Sequence, residues 1–180
     1  KTLQAPFAYD PNRKISAEEA LPENSVPLDV SHRPAEEIGK WLMTAVSDAM
    51  SFEVTEDGSP PALKREYFTP AGLAKFQEFL TKTGIQKVLD SRKYHLRSFV
   101  RNTPLILNEG AAAGHYRWLF EVPLMVSYIP PGNFKYKSGD AVNQAITLTL
   151  QVTRVREGAG PEGVLIEIWN GKIEALEKKK

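Results

Sequence analysis

The string HYRWLFEVPLMVSY, His115 to Tyr128, constrains the fold more than any other part of the chain. Tyr116, Trp118, Phe120, Val122, Leu124, Val126 and Tyr128 alternate with His115, Arg117, Leu119, Glu121, Pro123, Met125 and Ser127. That period of two marks a long strand with one buried face. A strand of this length needs neighbours to satisfy its backbone and an apolar layer to lie against. Pro123 removes one ladder donor, so an edge or a bulge is expected there.

The neighbours are legible as shorter alternating stretches: Tyr94, Leu96, Ser98 and Val100; Leu105 to Leu107; Ile146, Leu148, Leu150 and Val152; and Val164, Ile166 and Ile168. GAAAG, Gly110 to Gly114, reads as a short turn, which makes the flanking strands antiparallel. Trp118 belongs to the buried strand face, whereas Trp169 has the opposite parity to Ile166 and Ile168 and is expected to be exposed.

The apolar layer comes from helices that precede the strands. Ile38, Trp41, Leu42, Ala45, Val46 and Ala49 recur at steps of three and four, predicting a helix from about Pro34 to Phe52 with Glu36 and Glu37 at the positive end of its dipole. EDGSPP, Glu56 to Pro61, breaks the pattern. In YFTPAGLAKF the second helix has a complete start signal: Thr69 as N-cap, Pro70 at N1, and Phe68 placed to staple onto Leu73. Leu73, Phe76, Phe79 and Leu80 form its face, and Gly84 closes it. Ile85, Val88 and Leu89 predict a short third helix, Ile85 to Ser91. Three helices followed by a run of strands is an α+β order. The chain thus divides into a proline-rich lead-in, residues 1–33, an α+β domain, residues 34–170, and a charged tail, residues 171–180.

Composition excludes several classes. The chain has no cysteine, so disulfides, thiolate nucleophiles and Cys-ligated zinc are absent. No window approaches the about 18 apolar residues of a spanning helix. The net charge of +1 argues against direct nucleic-acid binding. His32, His95 and His115 have no metal-ligand spacing, and no GxSxG, Walker A, GxGxxG or EF-hand pattern occurs. No catalytic, cofactor-binding or metal-binding residue is therefore assigned. Glu109, beside a turn glycine, is the one carboxylate whose surroundings do not already explain it.

Charge is nonetheless uneven. Between Lys64 and Arg101 nine Lys and Arg residues face three Asp and Glu residues. On the strand that follows Arg92, Arg97, Phe99 and Arg101 share one parity and project together from the outer face. Such cations serve either as a solvated face or as a contact surface, and an aromatic beside arginines is the composition enriched at protein interfaces. Arg97, Phe99 and Arg101 are the candidate partner interface.

The ordered set YFTPAGLAKF (Tyr67 to Phe76), TPLILNEGAAAGHYRWLFEVPLMVSY (Thr103 to Tyr128), TLQVTRV (Thr149 to Val155) and GVLIEIW (Gly163 to Trp169) resembles the DotI/IcmL family, including the related TraM of IncI-type conjugative plasmids. The resemblance covers roughly residues 27–169. Its most distinctive part is Pro104, Gly110 and Gly114, then Tyr116 and Trp118, then Val122, Pro123 and Leu124. Leu73 stands where that family commonly has an aromatic residue.

The resemblance implies an inner-membrane structural subunit of a type IVB secretion or conjugation apparatus, translocating effector proteins or DNA. It implies a membrane span lying before Lys1, absent from this sequence, and a periplasmic domain with a nuclear transport factor 2-like (cystatin-like) fold. The implied partners are other subunits of the complex and further copies of the protein, with no cofactor and no enzymatic activity. The alternatives are a small-molecule-binding protein or enzyme using a pocket between sheet and helices, with Glu109 nearest to it, and the corresponding subunit of a type IVA machine.

Overall fold

The computed structural model describes residues 26–132 and 142–174. The first part of the lead-in and the terminal charged run Glu177 to Lys180 lie outside the described residues. Three helices come first: α1 (Ala35–Ala49), α2 (Pro70–Lys82) and α3 (Ile85–Ser91). Five strands follow: β1 (His95–Val100), β2 (Leu105–Ala112), β3 (His115–Ile129), β4 (Val142–Arg154) and β5 (Val164–Ile173). All pairings are antiparallel, forming one curved sheet with β3 at its centre.

The helices begin where their start signals lie. The Gly72 N–H donates to Thr69 Oγ1 at 3.0 Å, and Pro70 follows at N1, where no donor is needed. Phe68 just before the cap is buried and stacks on Phe76, with ring centroids 4.9 Å apart. The first helix stops at Ala49, short of Phe52. Phe52 is taken by the sheet instead, exchanging two 2.9 Å backbone hydrogen bonds with Leu96. A cluster holds the segment after α1 in place. Lys64 Nζ and the Tyr67 hydroxyl each donate to the Asp48 carboxylate at 2.7 Å, and the Tyr67 ring meets Trp41 edge-on.

The sheet follows from the long alternating string. Trp118, Phe120, Val122, Leu124 and Val126 of β3 are buried against α1 and α2 together with Ile146, Leu148 and Leu150 of β4. Pro123 occupies neither an edge nor a bulge. β1 pairs with β3 from Leu124 to Ile129 and β2 from His115 to Glu121, so β1 and β2 lie end to end along one side of β3, and Pro123 sits at the break between them. Its missing donor is not needed there, and its carbonyl accepts from the Arg101 N–H at 2.8 Å. The β2–β3 turn is tighter than GAAAG suggests. Strand pairing continues to Ala112 and His115, leaving Ala113 and Gly114, both with positive φ, as a two-residue turn.

Trp169 corrects the parity reading: it is 1% exposed. A bulge explains the reversal. Gln151 pairs with Ile168 but Val152 with Ile166, so Glu167 is the extra residue, and the inward series runs Val164, Ile166, Trp169. Trp169 packs among Phe68, Phe76 and Phe79, with centroids 5.8, 4.8 and 5.9 Å away. Trp41, expected in the core, is half-buried at its margin.

Candidate protein-protein interface

The helices cover only one face of the sheet. The other carries the odd-numbered residues of β1 and β3, and there the structure places Arg97, Phe99 and Arg101, in unlike settings. Phe99 is 54% exposed, on the strand position opposite Met125. Arg97, one step along the same face, is exposed and ion-paired with Glu53. Arg101 is half-buried and tied down. Its guanidinium donates to Glu174 at 2.7 Å, and Thr147 of β4 donates to the same carboxylate oxygen at 2.8 Å. Those two donors, Thr147 first, hold the Glu174 carboxyl below its ordinary pKa. Arg101 thus joins the edge of the sheet to its far side, while Phe99 and Arg97 are presented outward.

The basic stretch between Lys64 and Arg101 is largely met by local acceptors. Lys64 pairs with Asp48, Lys75 and Lys82 with Glu78, Arg97 with Glu53 and Arg101 with Glu174. What remains distinctive at the surface is apolar: Phe99, and then Leu105, Ile106 and Leu107 on β2. The residues of β2 were legible as a strand, but three consecutive apolar residues in a short strand must place some of them in water, a signal that alternation alone does not use.

Glu109 is exposed and accepts from the Tyr116 hydroxyl at 2.7 Å, a bond that raises the Tyr116 pKa. A groove of about 550 Å³ opens at the other end of β3, lined by Val88, Tyr94, Tyr128, Val142 and Ile173 among others. Between sheet and helices the interior is filled by Phe76, Trp118 and Phe120, each at most 1% exposed. His95 Nδ1 accepts from the Val54 N–H at 2.9 Å and His115 Nδ1 lies 2.8 Å from the Arg154 carbonyl oxygen, so both rings serve local structure. Among the described residues no three His, Asp or Glu side chains converge as a metal site, and no helix is long and apolar enough to cross a membrane.

The profile of the family described as type-IV b secretion system, inner-membrane complex component, matches residues 7–172. The chain belongs to this DotI/IcmL family. Solved DotI/IcmL relatives share its fold. The periplasmic domain of DotI aligns with a TM-score of 0.60 at 20% identity, covering 79% of this chain and 99% of that domain. An IcmL-like type IV secretion system protein from Legionella pneumophila aligns with a TM-score of 0.60 at 14% identity, over 83% of this chain and 100% of its own. A periplasmic fragment of TraM gives 0.56 at 14% identity, over 78% and 100%. No curated protein sequence matches the chain. The DotI/IcmL assignment therefore rests on nearly the whole length of the domain, and the helices-on-sheet architecture is that of its solved relatives.

Proposed function

We propose that this chain is the periplasmic domain of a non-enzymatic scaffold subunit in a type IVB secretion or conjugation complex. It acts by protein-protein contact in the translocation of effector proteins or DNA, and a membrane span outside this sequence anchors it in the bacterial inner membrane. The observation that carries this reading is the family match over residues 7–172. The exposed Phe99 beside Arg97, on the sheet face opposite the described helices, supports a contact there. Arg101 acts one step back, holding that edge of the sheet to Glu174. The lead-in joins the span to the domain, whose last strand, β5, runs to Ile173, with Glu174 bonded to Arg101 just beyond it.

The test is affinity purification of the full-length protein from membranes of its native cell, with mass spectrometry of what accompanies it, for the wild type and for Phe99→Asp. Other inner-membrane subunits of the apparatus are expected with the wild type and are reduced with the variant. Recovery of the wild-type protein alone overturns the scaffold reading; equal recovery by both forms removes Phe99 from the interface.

A further inference from the structure

The ladder between β3 and β4 ends at Arg117 and Thr153, and beyond it the segment that leads into the domain takes over. The Tyr116 N–H, the next donor along β3, donates to the Leu28 carbonyl at 2.7 Å. Arg154, the last residue of β4, is buried. Its guanidinium donates to three carbonyls of the same segment, those of Val26 and Val30 at 2.7 Å each and that of Pro27. A turn closed by the Val30 N–H on the Pro27 carbonyl gathers these acceptors. Further along, His32 Nε2 lies 2.8 Å from the Glu162 carbonyl oxygen, which can only accept, so this nitrogen carries the proton. Arg33 pairs with the Glu162 carboxylate, and the His32 ring meets Trp118 with centroids 6.0 Å apart. Residues 26–33 therefore cross the ends of β3 and β4 and reach the turn before β5. Val26 and Val30 are exposed, so polar bonds rather than apolar burial hold much of the segment down. A buried cation is ordinarily matched by a carboxylate, yet among the described residues Arg154 forms no ion pair and spends its donors on main-chain carbonyls.

We propose that residues 26–33 form a strap with Arg154 as its latch, and that the strap releases and docks again while helices and sheet stay folded. Its hydrogen bonds to the rest of the domain, among the described residues, go to Tyr116, Arg154 and Glu162 alone. Bonds that are few, polar and gathered on one side chain are the mark of a segment that opens at a cost below that of global unfolding. Every strand pairing of the sheet is made without it. Residues 1–25 precede the strap in the chain, so a pull arriving along them is met first by Arg154 and Tyr116 and by no helix. Release frees the Tyr116 N–H and the Arg154 guanidinium and withdraws the His32 ring from Trp118, which makes docking of the strap a readable state of that end of the sheet. The latch requires only these contacts and stands apart from the secretion reading.

Amide hydrogen exchange of the whole chain, followed residue by residue by NMR, tests the latch. In the wild type the Tyr116 amide, bonded to the strap, is expected to exchange at least about tenfold faster than the amide of Leu148, buried in the middle of the sheet. Arg154→Lys keeps the positive charge but replaces the planar fork with a single ammonium that cannot hold all three carbonyls. It should raise the ratio of the Tyr116 rate to the Leu148 rate by about a further tenfold, the loss of charge-assisted hydrogen bonds being read at the strap alone. If Arg154→Lys does not fold, Glu162→Gln removes the exposed Arg33 ion pair at the far end of the strap and should raise the same ratio about twofold. A wild-type Tyr116 amide as slow as that of Leu148 overturns the proposal, because the strap then opens only when the domain unfolds. A ratio left unchanged by Arg154→Lys, or by Glu162→Gln where it stands in, overturns it as well.

Discussion

Gly72, in the first turn of α2, lies so close to the carbonyl oxygen of Ile166 in β5 that no Cβ fits between them. The obstacle is backbone, which cannot rotate away. Gly72→Ala must therefore push the start of α2 off β5, breaking the Thr69 to Ile166 hydrogen bond and loosening Phe68 and Phe76 around Trp169. A loss of about 1–3 kcal/mol or more is expected by denaturant titration. A variant as stable as the parent would mean that the helix and strand do not approach this closely.

Thr69→Ala leaves that packing intact and removes only the cap. The Gly72 N–H loses its acceptor, and the expected loss is about 1 kcal/mol. For a domain of this size the Tm should fall by about 2–4 °C. The comparison with Gly72→Ala separates helix initiation from helix docking, since both act on the same turn.

Trp169 tests the bulge in β5. Buried among three phenylalanines, it should be about 3–5 kcal/mol more costly to replace by Ala than an exposed strand residue. Phe99→Ala, on the uncovered face, should change stability by no more than about 0.5 kcal/mol. Chemical denaturation of the two variants side by side checks both placements.

The Asp48 cluster should leave its mark on the pH dependence of stability. Hydrogen bonds from Lys64, then from Tyr67, hold the Asp48 carboxyl below its usual pKa. Its contribution is therefore present above the unfolded value of about 4 and is lost as pH falls through the lower folded value. Tyr67 is the mirror case. Burial, and then the Asp48 carboxylate, push its hydroxyl up to about 12, so its contribution is full below the unfolded value of about 10 and disappears as pH rises toward 12. In Tm measured against pH, Asp48→Asn should flatten the acid limb and Tyr67→Phe the alkaline limb.

Local signals and long-range ones differ in how far they can be read from the chain. Thr69, Pro70 and the period of α2 are separated by a few residues, so the helix start is visible in the string. The same holds for the alternation of β3, whose neighbours bury one face of it without altering its period. The burial of Trp169 is not visible in the alternation of β5, because the bulge depends on how β5 registers against β4, a pairing between residues far apart in sequence. The setting of Pro123 is hidden for a related reason: two strands share one side of β3, and the gap between them exists only once both are in place.

The candidate interface divides in the same way. The common parity of Arg97, Phe99 and Arg101 was legible, because a strand sends alternate residues to one face. That Arg101 is committed to Glu174, and that Leu105, Ile106 and Leu107 of β2 are all exposed, was not. The sequence by itself determined the order of helices and strands, the buried face of the central strand and the family, since each is carried by neighbouring residues or by their order along the chain. Only the tertiary structure decided which cations are satisfied and which apolar side chains are left exposed, because both depend on what distant segments cover.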